Sequence, residues 1–259
     1  MSTTQLFPDR GGATTQHDAT VRRVRHSALV AGIGTLVLAV VAGATNVAVI
    51  QGLVTKGDAE RTAHDVLASA TLFRFGLAAL VVAVILDVVI AWALLTFFEP
   101  VDHDLSRLAA WFRLSYAAVF AVAISQLLGV LPLLDGAKPT PFTVEQRHMQ
   151  ALLKIQDFLD IWQVGLVLFG LHLVLIGYLS YRSGYVPRVL GVFLVIAGAG
   201  YLVDSFAGIF VADYAVNVAA VTFIGEALLM VWLLVKGRQV TPPEPDRHSP
   251  VENERAERG

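Results

Sequence analysis

The stretch GLHLVLIGYLSYRSGYVPRVLGVFLVIAGAGYLVDSF, residues 170–206, contains two long apolar runs joined by a short polar turn. Gly184 stands where a helix needs a left-handed residue at its C-terminal end, and Pro187 stands at the first turn of the next helix. Arg182 and Arg188 flank the turn at the level of the inner lipid head groups. The pattern predicts two membrane-spanning helices connected by a tight cytoplasmic hairpin.

The rest of the chain extends this pattern in both directions. Of its 259 residues, 56% are hydrophobic and 15% are charged, and the mean hydropathy is +0.65. Soluble domains carry about 25% charged residues, and a helix needs roughly 20 apolar residues to cross a bilayer. The sequence therefore predicts an all-α integral membrane bundle over residues 27–237, with six transmembrane helices. The predicted spans are 27–54, 69–98, 108–134, 158–181, 189–210 and 215–235.

Basic residues near the span ends predict the orientation, because cytoplasmic loops are enriched in Lys and Arg. The larger group of basic residues lies on one side of the membrane, and its members are closer to the span ends than those on the other side. They are Arg22, Arg23, Arg25, Arg107, Arg113, Arg182, Arg188, Lys236 and Arg238. We therefore expect both termini on the cytoplasmic side of the cell membrane (the inner membrane in a two-membrane cell). Residues 1–26 are expected to be a polar, largely disordered segment, and the proline-rich tail 238–259 is expected to be disordered.

The polar loop before the fourth span contains a helix N-terminal capping signal. Thr143 and Gln146 have the spacing of a capping box, in which each residue bonds the backbone of the other. Pro139 and Pro141 precede them. We expect an amphipathic helix that starts here and continues directly into the fourth span.

Composition and motifs exclude several classes of function. The net charge of −2 predicts no nucleic-acid partner, and the absence of cysteine excludes disulfides, thiolate nucleophiles and Cys-ligated metals. No nucleotide-binding loop, serine-hydrolase elbow or zinc-protease motif is present. We expect no cofactor and no metal, we identify no catalytic residue, and the sequence leans away from an enzyme.

Ionisable residues inside the spans are the strongest chemical signal. From the cytoplasmic ends of their helices, Asp87, His172 and Glu226 lie about 15–18 Å deep and Asp204 lies about 24 Å deep. Gln126 is their polar neighbour on the third span. These five residues form the predicted intramembrane polar site. With Arg113 assigned to the cytoplasmic boundary, no Lys or Arg is expected at this depth, so some acids must be protonated, bound to a ligand or hydrated.

Each of these residues also has a structural interpretation. Asp87 and Asp204 lie on small-residue faces and are as well explained by hydrogen bonds between helices as by a functional role. For His172 a structural hydrogen bond is favoured, with a proton relay to Glu226 second. The small-residue faces include Gly32, Gly43, Gly76, Gly200 and Gly208, which we expect to mark close helix packing.

The stretch VGLVLFGLHLVLIGYLSYRSGYVPRVLGVFLVIAGAGYLVDSF, followed by GEALLMVWLLVKG, resembles the bacterial multi-pass membrane family called domain of unknown function 4386. The resemblance extends over roughly residues 28–237. It implies a six-span bundle and no established activity. The residues that match the family pattern are His172, Tyr178, Arg182, Ser183, Gly184, Pro187, Arg188, Tyr201, Asp204, Ser205 and Glu226.

Three functions remain open from the sequence. The first is binding or transport of a small amphiphile or cation through an outward-facing acidic cavity in the membrane. The second is a structural or regulatory membrane subunit. The third is an enzyme acting on a lipid, with Glu226 or Asp204 as acid or base. The expected partners are the lipid bilayer and a small-molecule or lipid ligand.

Overall fold

The computed structural model describes residues 10–136, 141–211, 218 and 224–242, and the regular structure in these ranges is helical. The helices are α1 (Arg10–Thr45), α2 (Ala59–Ala68), α3 (Ala70–Phe98), α4 (His103–Leu128), α5 (Val130–Leu134), α6 (Val144–Arg182), α7 (Arg188–Phe210) and α8 (Ile224–Val235). A π-helical segment, Asn46–Gln51, extends α1, and a short 3-10 turn, Gly237–Gln239, follows α8. The predicted all-α membrane bundle is confirmed.

Five helical segments are long and apolar enough to cross a membrane: His17–Gln51, Ala70–Phe98, His103–Leu134, Val144–Arg182 and Arg188–Phe210. They correspond to the first five predicted spans, so the chain is a multi-pass membrane protein. Of the predicted sixth span, 215–235, the structure describes the apolar helix Ile224–Val235, while 215–217 and 219–223 lie outside the described residues. The six-span count and the cytoplasmic placement of both termini stay predictions. Residues 1–9 and 243–259 also lie outside the described residues.

The first helix begins earlier than its membrane span. α1 starts at Arg10, so the helix begins 17 residues before the start of the predicted first span at residue 27. Val24 and Ala28 are buried in the core. The Arg25 Nε atom donates to the Val240 carbonyl oxygen at 2.8 Å. Contacts with the C-terminal segment therefore hold the helix beyond the apolar run.

The fourth span begins as the sequence predicts. The Thr143 hydroxyl accepts a hydrogen bond from the Gln146 backbone N–H, and the Gln146 side chain accepts one from the Thr143 N–H. The capping box is therefore confirmed. α6 then runs without interruption from Val144 to Arg182, so the amphipathic segment does continue into the span.

Six helices close into a ring. Along the ring, α1 packs against α3, α3 against α4, α4 against α6, α6 against α7, α7 against α8, and α8 against α1. The short helix α2, which the sequence analysis did not predict, packs against α6 and α5 outside this ring. Its buried side chains are Thr62, Ala63 and Val66, and Asp58 caps its N-terminus. The closed order of the six helices creates an interior that every one of them borders.

A close helix crossing lies between α6 and α7, where glycines of the two helices face each other. A Cβ atom added to Gly191 would lie 2.6 Å from the Gly177 carbonyl oxygen, and one added to Gly198 would lie 2.6 Å from the Gly170 carbonyl oxygen. By contrast, a Cβ atom on Gly43 or Gly208 would meet no atom of the described residues within 4 Å. Among the described residues, Gly43 and Gly208 therefore have no close neighbour, in contrast to the expectation that they mark close packing.

A short turn joins α6 and α7 where the sequence predicts a hairpin, and its cytoplasmic placement stays a prediction. Gly184 has a positive φ of 73°, and Pro187 immediately precedes α7. The Tyr185 hydroxyl donates to the Phe97 carbonyl oxygen at 2.7 Å, and burial raises the pKa of this hydroxyl. Because the phenol keeps its proton, the hairpin stays anchored to the end of α3. Arg182 adds an exposed ion pair with Asp102, with 3.7 Å between Nη1 and Oδ2.

Candidate functional site

The centre of the ring contains a buried ion pair between α3 and α4. The Arg113 guanidinium donates to Asp87 Oδ1 from Nε at 3.0 Å and from Nη2 at 2.6 Å. Both residues are buried, at 4% and 2% exposure. The Arg113 Cζ atom also lies 5.3 Å from the centre of the Phe169 ring on α6, within the range of a cation–π contact. The charge of Asp87 is therefore compensated inside the protein.

This pair corrects the expectation that no Lys or Arg lies at the depth of the acids. Arg113 is about 15 Å along α4 from its start at His103, which is the depth of Asp87, His172 and Glu226 on their own helices. The distribution of basic residues places Arg113 with Arg107 at the cytoplasmic boundary. The same depth measurement, applied to Arg113 from the start of its helix, would have found it.

His172 joins the ion pair from α6. Its Nδ1 atom lies 2.8 Å from the Ala109 carbonyl oxygen, and its Nε2 atom lies 3.3 Å from Arg113 Nη1. A carbonyl oxygen accepts a proton and a guanidinium donates one, so the geometry requires a neutral imidazole that carries its proton on Nδ1. His172 is thus a bridge between α4 and α6, and the favoured structural interpretation applies to this residue.

Glu226 on α8 has a different environment. Its Oε1 atom is buried and has no hydrogen-bond partner in the described part of the chain. Tyr201 of α7 interacts with its carboxyl group, and Arg113 and Asp87 lie close enough to affect it electrostatically. Glu226 is therefore the acid of this cluster whose hydrogen-bonding capacity is incompletely used.

Of the remaining two predicted site residues, Asp204 lines the central cavity described below and Gln126 does not. Asp204 is buried on α7, and its Oδ1 atom accepts a hydrogen bond from the Val218 N–H at 3.0 Å, which ties α7 to the chain that follows it. Gln126 lies about 20 Å beyond Arg113 on α4 and is not among the residues that line the central cavity described below. The structure therefore separates Gln126 from the other four.

A cavity of about 1450 Å³ occupies the interior of the ring. We call it the central cavity. It has lining residues on all six helices of the ring. Representative ones are Thr35, Asp87, Arg113, His172, Asp204 and Glu226. The sequence-predicted residues Asp87, His172, Asp204 and Glu226 thus share one cavity, to which the structure adds Arg113, Tyr116 and Tyr201.

The cavity wall offers neither an activated nucleophile nor a metal-binding group within the described ranges. The Ser205 hydroxyl, next to Asp204, donates to the Gln163 carbonyl oxygen at 3.1 Å and accepts from the Gln163 side-chain amide at 3.3 Å. The Tyr116 hydroxyl accepts a hydrogen bond from Trp162 Nε1 at 3.1 Å. Over residues 10–136, 141–211, 218 and 224–242, no three His, Asp or Glu side chains are grouped to hold a metal ion. The arrangement offers hydrogen-bond acceptors and an apolar wall.

Comparisons with known proteins agree with this architecture. Residues 30–237 match the family model described as a domain of unknown function, DUF4386. An uncharacterized protein of Archaeoglobus fulgidus is 35% identical over 161 residues, which is 61% of this chain and 81% of the relative. No solved structure matches the chain. Because that relative is archaeal, a bacterial origin of this chain stays a prediction. The resemblance found in the sequence is confirmed, and the chain belongs to the DUF4386 family.

Proposed function

We propose that the protein binds a small amphiphile with a cationic, hydrogen-bond-donating head group in the central cavity, where Glu226 accepts the head group. The observation that carries this proposal is the buried Glu226 Oε1 atom, which lacks a hydrogen-bond partner among the described residues. A buried polar atom without a partner costs free energy. A donor from a ligand would remove that cost.

The chemistry of the wall supports an amphiphile over a bare ion. The cavity of about 1450 Å³ is larger than the ~300–1,000 Å³ of most small-molecule sites, and most of its lining residues are apolar. Leu38, Leu166, Leu194 and Met230 are among those apolar residues. A ligand with a hydrocarbon portion would contact these side chains, while a few polar groups would orient its head group.

The position of the lining residues supports entry from the predicted outer side. The lining extends to Gln51, Lys56 and Asp160, near the helix ends that the basic-residue distribution assigns to the extracytoplasmic face. Under the proposal the protein lies in the cell membrane and takes its ligand from that face. Transport would also require a second opening toward the cytoplasm. Ligand binding in the central cavity is the step that a binding protein and a transporter have in common.

A structural role is the second candidate, and the network around Arg113 favours it. Asp87, Arg113 and His172 satisfy one another across α3, α4 and α6, so these three residues need no ligand. If the whole site were structural, neutralising Glu226 would stabilise the bundle and alter no binding. The two candidates therefore make opposite predictions for the same residue.

The test uses one cationic probe and one neutral probe with the same chain length. The protein is placed in phosphatidylcholine nanodiscs, and binding of dodecylammonium and of dodecanol is measured by calorimetry, with empty nanodiscs subtracted. Three proteins are compared: wild type, Glu226→Gln and, as the matched control, Glu60→Gln on the exposed surface of α2. Thermal unfolding without probe establishes that all three are folded.

We expect Glu226→Gln to weaken dodecylammonium binding about 10- to 100-fold, because hydrogen bonds to charged groups contribute about 1.5–3 kcal/mol. Dodecanol binding and the Glu60→Gln control should stay near wild type. Equal dodecylammonium binding by wild type and Glu226→Gln would overturn the proposal. In that case a rise in the unfolding temperature of Glu226→Gln would support the structural role.

A further inference from the structure

A second cleft lies at the opposite end of the bundle from Gln51 and Lys56, between α1, α3 and α4. It has a volume of about 380 Å³. Arg23 of α1 and Arg107 of α4 line it, together with Glu99 just after α3 and His103 at the start of α4. It shares no lining residue with the central cavity, so it is an independent site.

The cleft carries an excess of uncompensated positive charge. Glu99 Oε1 lies 3.3 Å from His103 Nδ1, so the carboxylate of the cleft contacts the imidazole and forms no ion pair with an arginine in the described part of the chain. Neither Arg23 nor Arg107 has an ion-pair partner within the described part of the chain. Both arginines are exposed. Two guanidinium groups thus border one small cleft that is lined by a single carboxylate, Glu99.

The other wall of the cleft is apolar and continues onto the lipid-facing surface. Trp92 and Leu95 of α3 line the cleft, and Trp92 is 53% exposed. Val88 and Ile85, one and two turns before Trp92 on the same face of α3, are also exposed. Tryptophan favours the membrane–water interface, where an apolar ring meets lipid chains and polar head groups. The cleft therefore joins a cationic rim to a hydrocarbon surface.

We propose that this cleft binds the phosphate of an anionic membrane phospholipid. Arg23 and Arg107 would hold the phosphate oxygens, and an acyl chain would lie along Trp92, Val88 and Ile85. A guanidinium presents paired N–H donors that match phosphate geometry. Basic pockets between transmembrane helices on the cytoplasmic side are the general form of such sites. The shared chemistry is a phosphate ester, and the apolar wall assigns it to a lipid instead of a soluble phosphate.

The experiment measures lipid retention by the full-length protein in neutral detergent. Native mass spectrometry records the occupancy of added phosphatidylglycerol, with phosphatidylcholine and soluble glycerol 1-phosphate as the competing ligands. The test variant is Arg23→Gln/Arg107→Gln. The matched control is Arg22→Gln/Arg238→Gln, which removes the same charge from two exposed arginines outside the cleft. Thermal unfolding without lipid compares the folded state of all variants.

We expect wild type and the control to retain phosphatidylglycerol in preference to phosphatidylcholine. The affinity of the test variant should fall roughly 25-fold, since each arginine near a lipid surface contributes about fivefold. Equal retention of phosphatidylcholine by wild type would overturn the proposal, as would an equal loss in the control. Competition by glycerol 1-phosphate at the same concentration as the lipid would overturn the assignment to a lipid.

A third variant keeps the test decisive if the glutamine pair does not fold. Arg23→Lys/Arg107→Lys retains both charges and removes the guanidinium forks. It should keep the preference for phosphatidylglycerol with a weaker affinity than wild type. Loss of the preference in a folded lysine variant would contradict the role of positive charge in the cleft.

Discussion

The Arg113 guanidinium holds Asp87 Oδ1 through two nitrogen atoms, at 3.0 Å from Nε and 2.6 Å from Nη2, in the interior of the helical ring. This contact changes the electrostatic problem posed by the sequence. With Arg113 present, the acids of the bundle no longer lack a positive partner. Asp87 is paired with Arg113, and Asp204 accepts a hydrogen bond from the Val218 N–H. The acid whose compensation is still to be explained is therefore Glu226.

Replacing one residue of the Asp87–Arg113 pair should lower the free energy of unfolding much more than replacing both. We expect Arg113→Gln or Asp87→Asn alone to lower the free energy of unfolding by about 3–5 kcal/mol, because each leaves an unpaired buried charge. The double variant Asp87→Asn/Arg113→Gln should lose less than the sum of the two. Equilibrium unfolding in mixed micelles measures all three.

The exposed pair of Arg61 and Asp65 provides the control, with 3.9 Å between Arg61 Nε and Asp65 Oδ2. Arg61→Gln should cost about 0–1 kcal/mol, as surface pairs do. Strict additivity of the two single losses at Asp87 and Arg113 would show that the residues do not act as a pair.

The position of the His172 proton is a second consequence of the network. We expect ¹⁵N NMR of histidine-labelled protein to show a neutral ring that is protonated at Nδ1 and unprotonated at Nε2. The Ala109 carbonyl oxygen can only accept, so Nδ1 must carry the proton. Arg113 Nη1 can only donate, so Nε2 must offer its lone pair. The chain has seven histidines, so His172→Gln identifies the signal by its loss. A signal from a doubly protonated imidazolium at this position would contradict the assigned network.

The sequence was sufficient for the features that depend on local rules. The length of the apolar runs determines the spans, Thr143 and Gln146 determine the start of α6, and Gly184 determines the turn before α7. Each of these depends on residues within a few positions of one another. The same holds for the depth of an acid in its own helix, which requires only the rise per residue.

What the sequence could not supply is the direction in which each helix faces its neighbours. Gly43 and Gly208 share the spacing of packed small residues but have no neighbour within 4 Å of an added Cβ in the described part of the chain, whereas a Cβ on Gly191 would lie 2.6 Å from the Gly177 carbonyl oxygen. Arg113 differs from Arg107 only by its rotation and depth on α4, and that difference places it beside Asp87. These outcomes depend on which helices become neighbours in the ring, and a single sequence does not specify that order.

The crossing of α6 and α7 gives a test of this packing with a control on the same helix. A Cβ on Gly191 would lie 2.6 Å from the Gly177 carbonyl oxygen and 2.8 Å from the Tyr181 nitrogen. Because both are backbone atoms, Gly191→Ala should force the helices apart and cost about 1–3 kcal/mol of unfolding free energy. The Cβ of Gly208→Ala on α7 would meet none of the described residues within 4 Å, so this variant should cost nothing. Equal losses in the two variants would contradict the close crossing.

Gly184 in the hairpin allows the cost of a left-handed backbone to be measured without a steric clash from the added Cβ atom. Gly184 has φ of 73°, and a Cβ atom there would meet nothing within 4 Å. Gly184→Ala should therefore lower the unfolding free energy by roughly 1–2 kcal/mol, solely because a left-handed backbone is unfavourable for residues with a Cβ. Gly184→Asn should lose less, since asparagine tolerates this region. Gly43→Ala, a helical position with equally open surroundings, should show no loss. An Asn variant as unstable as the Ala variant in thermal unfolding would show that something other than φ governs this turn.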